Sequence, residues 1–140
     1  MKKLVIYTDG ASRGNPGPSA YGFTISKAGG KLLHEEGAYI GITTNNVAEY
    51  TAVLKALEKT QELTFQQYEV ELFADSKLVS EQLSGRYKIK SAHLKPIIKK
   101  IQILALSLGG ITYNYIPRIK NTRADKLANQ ALDLHSQQMT

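Results

Sequence analysis

The sequence has no cysteine and no tryptophan among its 140 residues. The absence of cysteine excludes disulfide scaffolds, cysteine-ligated zinc, iron–sulfur clusters and thiol catalysis, and it fits a cytoplasmic location, which we expect. No apolar run approaches the roughly 18 residues of a membrane span, so we expect no membrane partner. Asp9 comes too early for a signal peptide, and we interpret the first residues as a strand. We expect one domain over residues 1–140, frayed at 136–140 and monomeric.

Basic residues are concentrated in one part of the chain. Overall, 18 Lys and Arg face 12 Asp and Glu, which gives a net charge of +6. Between residues 85 and 126, ten basic residues face one acidic residue, so this segment carries +9 and the remainder −3. This asymmetry favours a polyanionic partner. Charge alone leaves open the alternative of a solvated basic surface.

Hydrophobic periodicity predicts an α/β fold, a mixed five-stranded sheet flanked by helices, in the chain order βββ-α-β-α-α-β-α. The first three strands are expected to form an antiparallel meander. The predicted strands are 3–8, 21–26, 32–42, 69–74 and 111–116. The predicted helices are 45–60, a short one capped by Ser76 that runs to about residue 83, 94–108, and a last one beginning near residue 121.

Four acidic residues occupy positions that favour a functional site. Asp9 and Asp75 each end a predicted strand, and ligands of open α/β sheets bind beyond the carboxyl ends of strands. Glu49 lies opposite the polar face of its helix and so faces the sheet, where an isolated carboxylate is costly to bury. Asp125 falls in the first turn of the last helix. Each acid alone could be a turn, cap or ion-paired residue, but together they suit Mg²⁺ or Mn²⁺.

Four segments resemble the motifs of type 1 ribonuclease H, in the same order. They are residues 7–18 (YTDGASRGNPGP), 43–49 (TTNNVAE), 74–76 (ADS) and 121–128 (NTRADKLA). The resemblance extends from Leu4 to about Leu132. It implies a ribonuclease H-like fold and an endonuclease that hydrolyses the RNA strand of an RNA/DNA hybrid, leaving 5′-phosphate and 3′-hydroxyl ends.

The resemblance also implies a metal site made of the four acids. Asp9 would bridge two Mg²⁺ ions, for which Mn²⁺ could substitute, and Glu49, Asp75 and Asp125 would complete the ligand sets. One ion would lower the pKa of the attacking water, and the other would stabilise the leaving 3′ oxygen.

Further residues are implied to bind the substrate. Those expected near the RNA sugars are Ser12, Gly14, Asn15, Asn46 and Glu49. Gly10 is expected to bind substrate as the first residue of a loop, residues 10–17, that exposes backbone groups beside Asp9. Thr44 and Asn45 are expected to contact the other strand and its phosphates, and Lys77 to add affinity for phosphate. Ser76 is also expected to bind substrate. Asn15 and Asn46 are also typical turn and helix-cap residues, so for them a structural role stays open.

The sequence departs from the family pattern in the loop before the fourth acid. Many members have a histidine there, whereas residues 116–121 contain none. Arg118 is the candidate replacement: it could stabilise a phosphate or the leaving group but could not act as a base. The alternative is an ordinary surface arginine. His34, His93 and His135 lie outside every motif and are interpreted as non-catalytic.

A second departure from the family pattern concerns the basic residues that bind the substrate. The segment 85–94 is too short for the basic protrusion of many bacterial members, so the chain resembles the protrusion-less, archaeal-like branch. Arg86, Lys88 and Lys90 would lie on one side of an extended chain and are expected to bind substrate instead. Two other functions stay open: a catalytically weak or silent nucleic-acid-binding module of the same fold, and a nuclease that also cuts double-stranded RNA.

Overall fold

Five strands form one mixed sheet at the centre of the computed structural model, which describes residues 2–63, 68–88 and 91–139. The strands are β1 (Lys3–Ser12), β2 (Gly17–Lys27), β3 (Leu32–Thr43), β4 (Glu69–Ala74) and β5 (Ile111–Tyr115). The helices are α1 (Asn45–Leu63), α2 (Lys77–Leu83), α3 (Lys95–Ser107) and α4 (Thr122–Gln138), with a 3₁₀ turn at Arg118–Lys120. None of the helices in these ranges is long and apolar enough to cross a membrane.

The strand order is β3-β2-β1-β4-β5. β1, β2 and β3 pair antiparallel as a meander, whereas β4 is parallel to both β1 and β5. Parallel neighbours need long crossover connections, which the helical segments between β3 and β5 provide. The predicted element order, meander and mixed sheet are confirmed.

The core lies between the sheet and α1. Leu4 and Ile6 of β1 and Phe23 of β2 are fully buried there, against the Val53 and Leu57 side of α1. α4 covers the opposite face of β1, β2 and β3. A Cβ atom at Gly22 of β2 would overlap the backbone of α4, so this glycine permits the close approach of the helix that carries Asp125.

β1 is longer than predicted, and the prediction that Asp9 ends it is wrong. The parallel pairing of β1 with β4 stops at Thr8, opposite Ala74, but the antiparallel pairing with β2 continues to Ser12, opposite Ser19. Asp9 is therefore the first residue beyond the parallel ladder while it is still inside the strand. The ladder of β1 with β2 is thus longer than the ladder of β1 with β4. The sequence of β1 alone does not reveal this difference.

The last helix also extends further than expected. α4 runs to Gln138, so residues 136–138, which we expected to be frayed, are helical. The Met139 N–H donates to the His135 carbonyl at 3.2 Å. The His135 ring stacks on Tyr39 of β3 with centroids 3.6 Å apart, which anchors the end of the helix to the sheet.

Candidate active site

Three acidic side chains converge where the β1–β4 ladder ends. Asp9 lies on β1, Asp75 follows β4, and Glu49 lies near the start of α1. One carboxylate oxygen from each residue lies within 4.8 Å of the other two. Asp9 and Glu49 are only 4% and 5% exposed. The three residues meet as the sequence predicted, although Asp9 reaches the site from within a strand.

Gly10 explains how Glu49 reaches Asp9. A Cβ atom at this position would overlap the backbone of Ala48 and Glu49. The start of α1 can therefore pack directly on β1 only because residue 10 lacks a side chain. Thr44 begins this helix, since its Oγ1 accepts a hydrogen bond from the Val47 N–H at 3.3 Å, as in a typical N-cap.

Asp125 lies beside the three-acid cluster on the first turn of α4. Its carboxyl group interacts with Asp9, and its Oδ1 accepts a hydrogen bond from Asn129 Nδ2 at 3.2 Å. The Arg118 guanidinium lies 3.6 Å from the same oxygen, and its side chain is 78% exposed. The predicted fourth acid and the predicted arginine thus meet at the rim of the cluster.

The electrostatics of the cluster are unfavourable in the absence of a cation. Burial, followed by the charges of Glu49 and Asp75 and the contact with Asp125, raises the pKa of Asp9 to about 10. Burial and the charge of Asp75 raise the pKa of Glu49 to about 8, against the lowering effects of the Asp9 and Gly10 hydrogen bonds and of Arg118. Glu49 Oε2 is buried without a hydrogen-bond partner. Crowded, partly unpaired carboxylate oxygens are the donor set that a hard divalent cation requires, so the residues present fit such an ion.

Asn121 belongs to the site, whereas the sequence predicted it only as a possible start of the last helix and as part of the fourth motif. It occupies the N-cap position of α4, but its side chain makes no capping bond. The side chain is instead 1% exposed, and its Nδ2 donates to the Thr8 carbonyl at 2.8 Å and to Asp75 Oδ2 at 3.3 Å. No local signal in the sequence indicates these contacts, because the partners lie 113 and 46 positions away.

Most of the predicted substrate residues line three neighbouring cavities. The first, of about 290 Å³, contains the acids. Its lining includes Asp9, Gly10, Asn45, Glu49, Asp75, Ser76 and Arg118. Ser76 also caps α2 through the Val79 N–H at 3.3 Å, as the sequence predicted.

The second cavity, of about 390 Å³, brings together Asn15, Thr44 and Asn46. Asn15 Oδ1 accepts a hydrogen bond from the Asn45 N–H at 3.0 Å, which ties the β1–β2 turn to the start of α1. His93 lines the same cavity. His93 lies outside every motif and was therefore predicted to be non-catalytic, yet the fold places it among the predicted substrate residues.

The third cavity, of about 490 Å³, is lined by Asn46, Arg86 and Lys88. Gln82, also in its wall, accepts a hydrogen bond from the Tyr50 hydroxyl and donates to the Lys88 carbonyl at 3.3 Å. Through Gln82, α1, the helix that carries Glu49, is thus linked to the basic segment at Arg86 and Lys88. The prediction for Lys90 lies outside the described residues.

Three predicted substrate residues have other positions. Ser12 Oγ lies 2.6 Å from Ser19 Oγ across the β1–β2 pair. Gly14 has a φ of 102° in the following turn, a conformation that favours glycine. Lys77 is the exposed first residue of α2. None of the three lines the cavities described above, so their assignment stays a prediction.

The chain is similar in sequence to known proteins over most of its length. A family model described as reverse transcriptase-like matches residues 7–131. A ribonuclease HI of Halobacterium salinarum is 41% identical over 131 residues, covering 94% of this chain and 65% of that protein. A ribonuclease H of Methylobacillus flagellatus is 32% identical over 150 residues, covering 93% of this chain and 91% of that protein.

A solved structure is also similar along almost its whole length. LC11-RNase H1, isolated from compost by a metagenomic approach, has been crystallised in complex with an RNA/DNA hybrid. It matches with a TM-score of 0.91 and 44% identity, covering 94% of this chain and 98% of that one. The chain spans only 37% of the length of the mycobacterial proteins that it matches at 43% identity.

Proposed function

Since this chain belongs to the type 1 ribonuclease H family, we propose that it is an endonuclease that hydrolyses the RNA strand of an RNA/DNA hybrid. The observation that carries the proposal is the convergence of Asp9, Glu49 and Asp75, whose oxygens lie within 4.8 Å of one another. Asp125 adjoins them through Asp9. A cluster of like charges is costly unless cations or protons compensate it, and divalent cations are the usual means in phosphodiester hydrolysis.

The four acids are the proposed ligands of Mg²⁺, for which Mn²⁺ could substitute. Asp9 interacts with all three other acids, which suits a ligand shared between two ions. The unpaired Glu49 Oε2 supports the same assignment, because a cation would give this buried oxygen a partner. When bound, such ions supply Lewis-acid activation of water and stabilise charge on the leaving 3′ oxygen.

Arg118 is the residue proposed to orient the scissile phosphate. Arg118 stands at the rim of the acidic cavity, where its exposed guanidinium can bind a phosphate oxygen or the leaving group. It cannot accept a proton near neutral pH, so its role is electrostatic. Hydrolysis that releases the 3′ oxygen as the leaving group leaves a 5′-phosphate and a 3′-hydroxyl.

The neighbouring cavities are proposed to hold the two strands of the hybrid. Asn46 lines both the second and the third cavity. It therefore lies between the polar residues Asn15 and Thr44 on one side and the cations Arg86 and Lys88 on the other. Amide and hydroxyl groups can contact the 2′-hydroxyls in the wide, shallow minor groove, whereas the cations contact phosphates.

The test is incubation with matched RNA/DNA, RNA/RNA and DNA/DNA duplexes in Mg²⁺, Mn²⁺ or EDTA. We expect cleavage of only the RNA strand of the hybrid, dependent on a divalent metal and abolished by Asp9→Asn. Asp133→Asn, an exposed acid that is ion-paired with Arg13, is the matched control. Binding without cleavage in either metal would indicate a silent module, and cleavage of RNA/RNA would widen the substrate range.

A further inference from the structure

The buried amide of Asn121 connects β1, the strand that carries Asp9, to Asp75, which directly follows β4. Its Nδ2 has two hydrogens, one directed to the Thr8 carbonyl at 2.8 Å and the other to Asp75 Oδ2 at 3.3 Å. Thr8 immediately precedes Asp9. We propose that Asn121 is a positioning residue that sets the orientation of the Asp75 carboxylate relative to Asp9 for cation binding, an inference that rests on the proposed function.

The contact with Thr8 fixes the amide itself. Pairing of β1 with β4 stops at Thr8, so this carbonyl lies at the end of the ladder and needs another donor. Asn121 provides that donor from the start of α4, and its own position is thereby tied to the backbone of β1. The second hydrogen of the same nitrogen then has a defined direction, which is towards Asp75.

The chemistry of an amide suits this role. Asn121 is the one hydrogen-bond donor to the Asp75 carboxylate among the described residues, and it is uncharged. A lysine or arginine would orient Asp75 but would also compete with a cation for its charge. The amide orients the carboxylate and leaves its negative charge available.

The buried amide is not explained by packing alone. Its Oδ1 has no hydrogen-bond partner among the described residues, and an unpaired buried acceptor destabilises a fold. A leucine of similar volume would avoid that cost but could donate neither bond. The Asn121 carbonyl also accepts the Asp125 N–H at 3.2 Å, so the same residue holds the turn that carries the fourth acid.

The experiment compares metal binding by the wild type, Asn121→Ala and Asn114→Ala, using calorimetric titration with Mg²⁺ and electron paramagnetic resonance of Mn²⁺. Asn114 is the matched control, because among the residues that the structure describes its Nδ2 donates only to backbone carbonyls, those of Leu72 and Thr112. We expect Asn121→Ala to bind the metal about tenfold more weakly, the order of one lost bond to a charged group, and Asn114→Ala to match the wild type. The KM for the hybrid at saturating metal should change less than twofold.

A double-mutant cycle with Asp75→Asn separates positioning from a general structural effect. If Asn121 acts through Asp75, Asn121→Ala should weaken metal binding no further in the Asp75→Asn background. Wild-type metal affinity in Asn121→Ala, or an equal loss with and without Asp75, would overturn the inference. If Asn121→Ala does not fold, Asn121→Ser, which keeps one donor, replaces it with the same expectations. A wild-type protein that binds the metal but leaves the hybrid intact would contradict the proposed function and not this inference.

Discussion

Asp9→Asn is expected to abolish cleavage and yet to stabilise the protein when no metal is present. In the folded protein, burial and the neighbouring acids raise the pKa of Asp9 to about 10 and that of Glu49 to about 8. In the unfolded chain such carboxyls release their protons near pH 4. Folding of the metal-free protein therefore takes up protons between these limits, and its stability falls as the pH rises.

The size of the effect follows from proton linkage. One proton held only by the folded state lowers the free energy of unfolding by about 1.4 kcal/mol per pH unit. Asparagine needs no proton, so between pH 5 and 7 the wild type should lose about 3 kcal/mol relative to Asp9→Asn. For a domain of this size that corresponds to roughly 10 °C in Tm.

Thermal unfolding in EDTA at several pH values, followed by circular dichroism, measures this difference. The surface variant Asp133→Asn controls for the replacement of an acid by its amide. Its free energy of unfolding should change with pH as steeply as that of the wild type. Saturating Mg²⁺ should stabilise the wild type by mass action and remove the advantage of Asp9→Asn. If stability in EDTA depends on pH with the same slope for the wild type and for Asp9→Asn, the raised pKa of Asp9 in the folded protein is refuted.

Other substitutions test the proposed roles one by one in steady-state cleavage assays. Arg118→Ala should lower kcat on the order of 100-fold with little change in KM, as expected for loss of an electrostatic group at the reacting phosphate; an unchanged kcat would mark a surface arginine. Replacing Arg86, Lys88 and Lys90 together by Ala should raise KM and flatten its dependence on salt concentration, and an unchanged salt slope would exclude contact with phosphates. His93→Ala should raise KM roughly threefold, the order of one hydrogen bond, while a normal KM would leave His93 outside the substrate site.

The order of elements could be predicted because it depends on local patterns. Alternation in β4 and the spacing of apolar residues in α1 are properties of short segments, and each segment has one face to bury. Ser76 as an N-cap was predictable for the same reason, since its partner, Val79, is three residues away. The convergence of Asp9 and Asp75 followed from a general rule for the ends of parallel strands.

The rest of the site depends on contacts between distant segments. Asn121 has its partners on β1 and after β4, and a polar residue before a helix is sufficiently explained as a cap. Gly10 was expected in a substrate loop, but its closest neighbours are Ala48 and Glu49 of another element. His93 meets Asn15 only because the segment before α3 folds against the start of α1. The pattern of residues within each of these segments does not reveal such contacts with distant parts of the chain.

The structure changes what the +9 segment can contribute to binding. All four arginines of the chain form ion pairs with acids: Arg13 with Asp133, Arg86 with Glu81, Arg118 with Asp125 and Arg123 with Glu35. In contrast, no ion pair involves any lysine of the segment that the structure describes, namely Lys88, Lys95, Lys99, Lys100, Lys120 and Lys126. Lysine contacts phosphate as a point charge without the bidentate geometry of arginine. Under the proposed function, the cations without an acidic partner are therefore mainly ones that bind any phosphate backbone, and we expect discrimination between RNA and DNA to come from the polar groups around Asn15, Thr44 and Asn46.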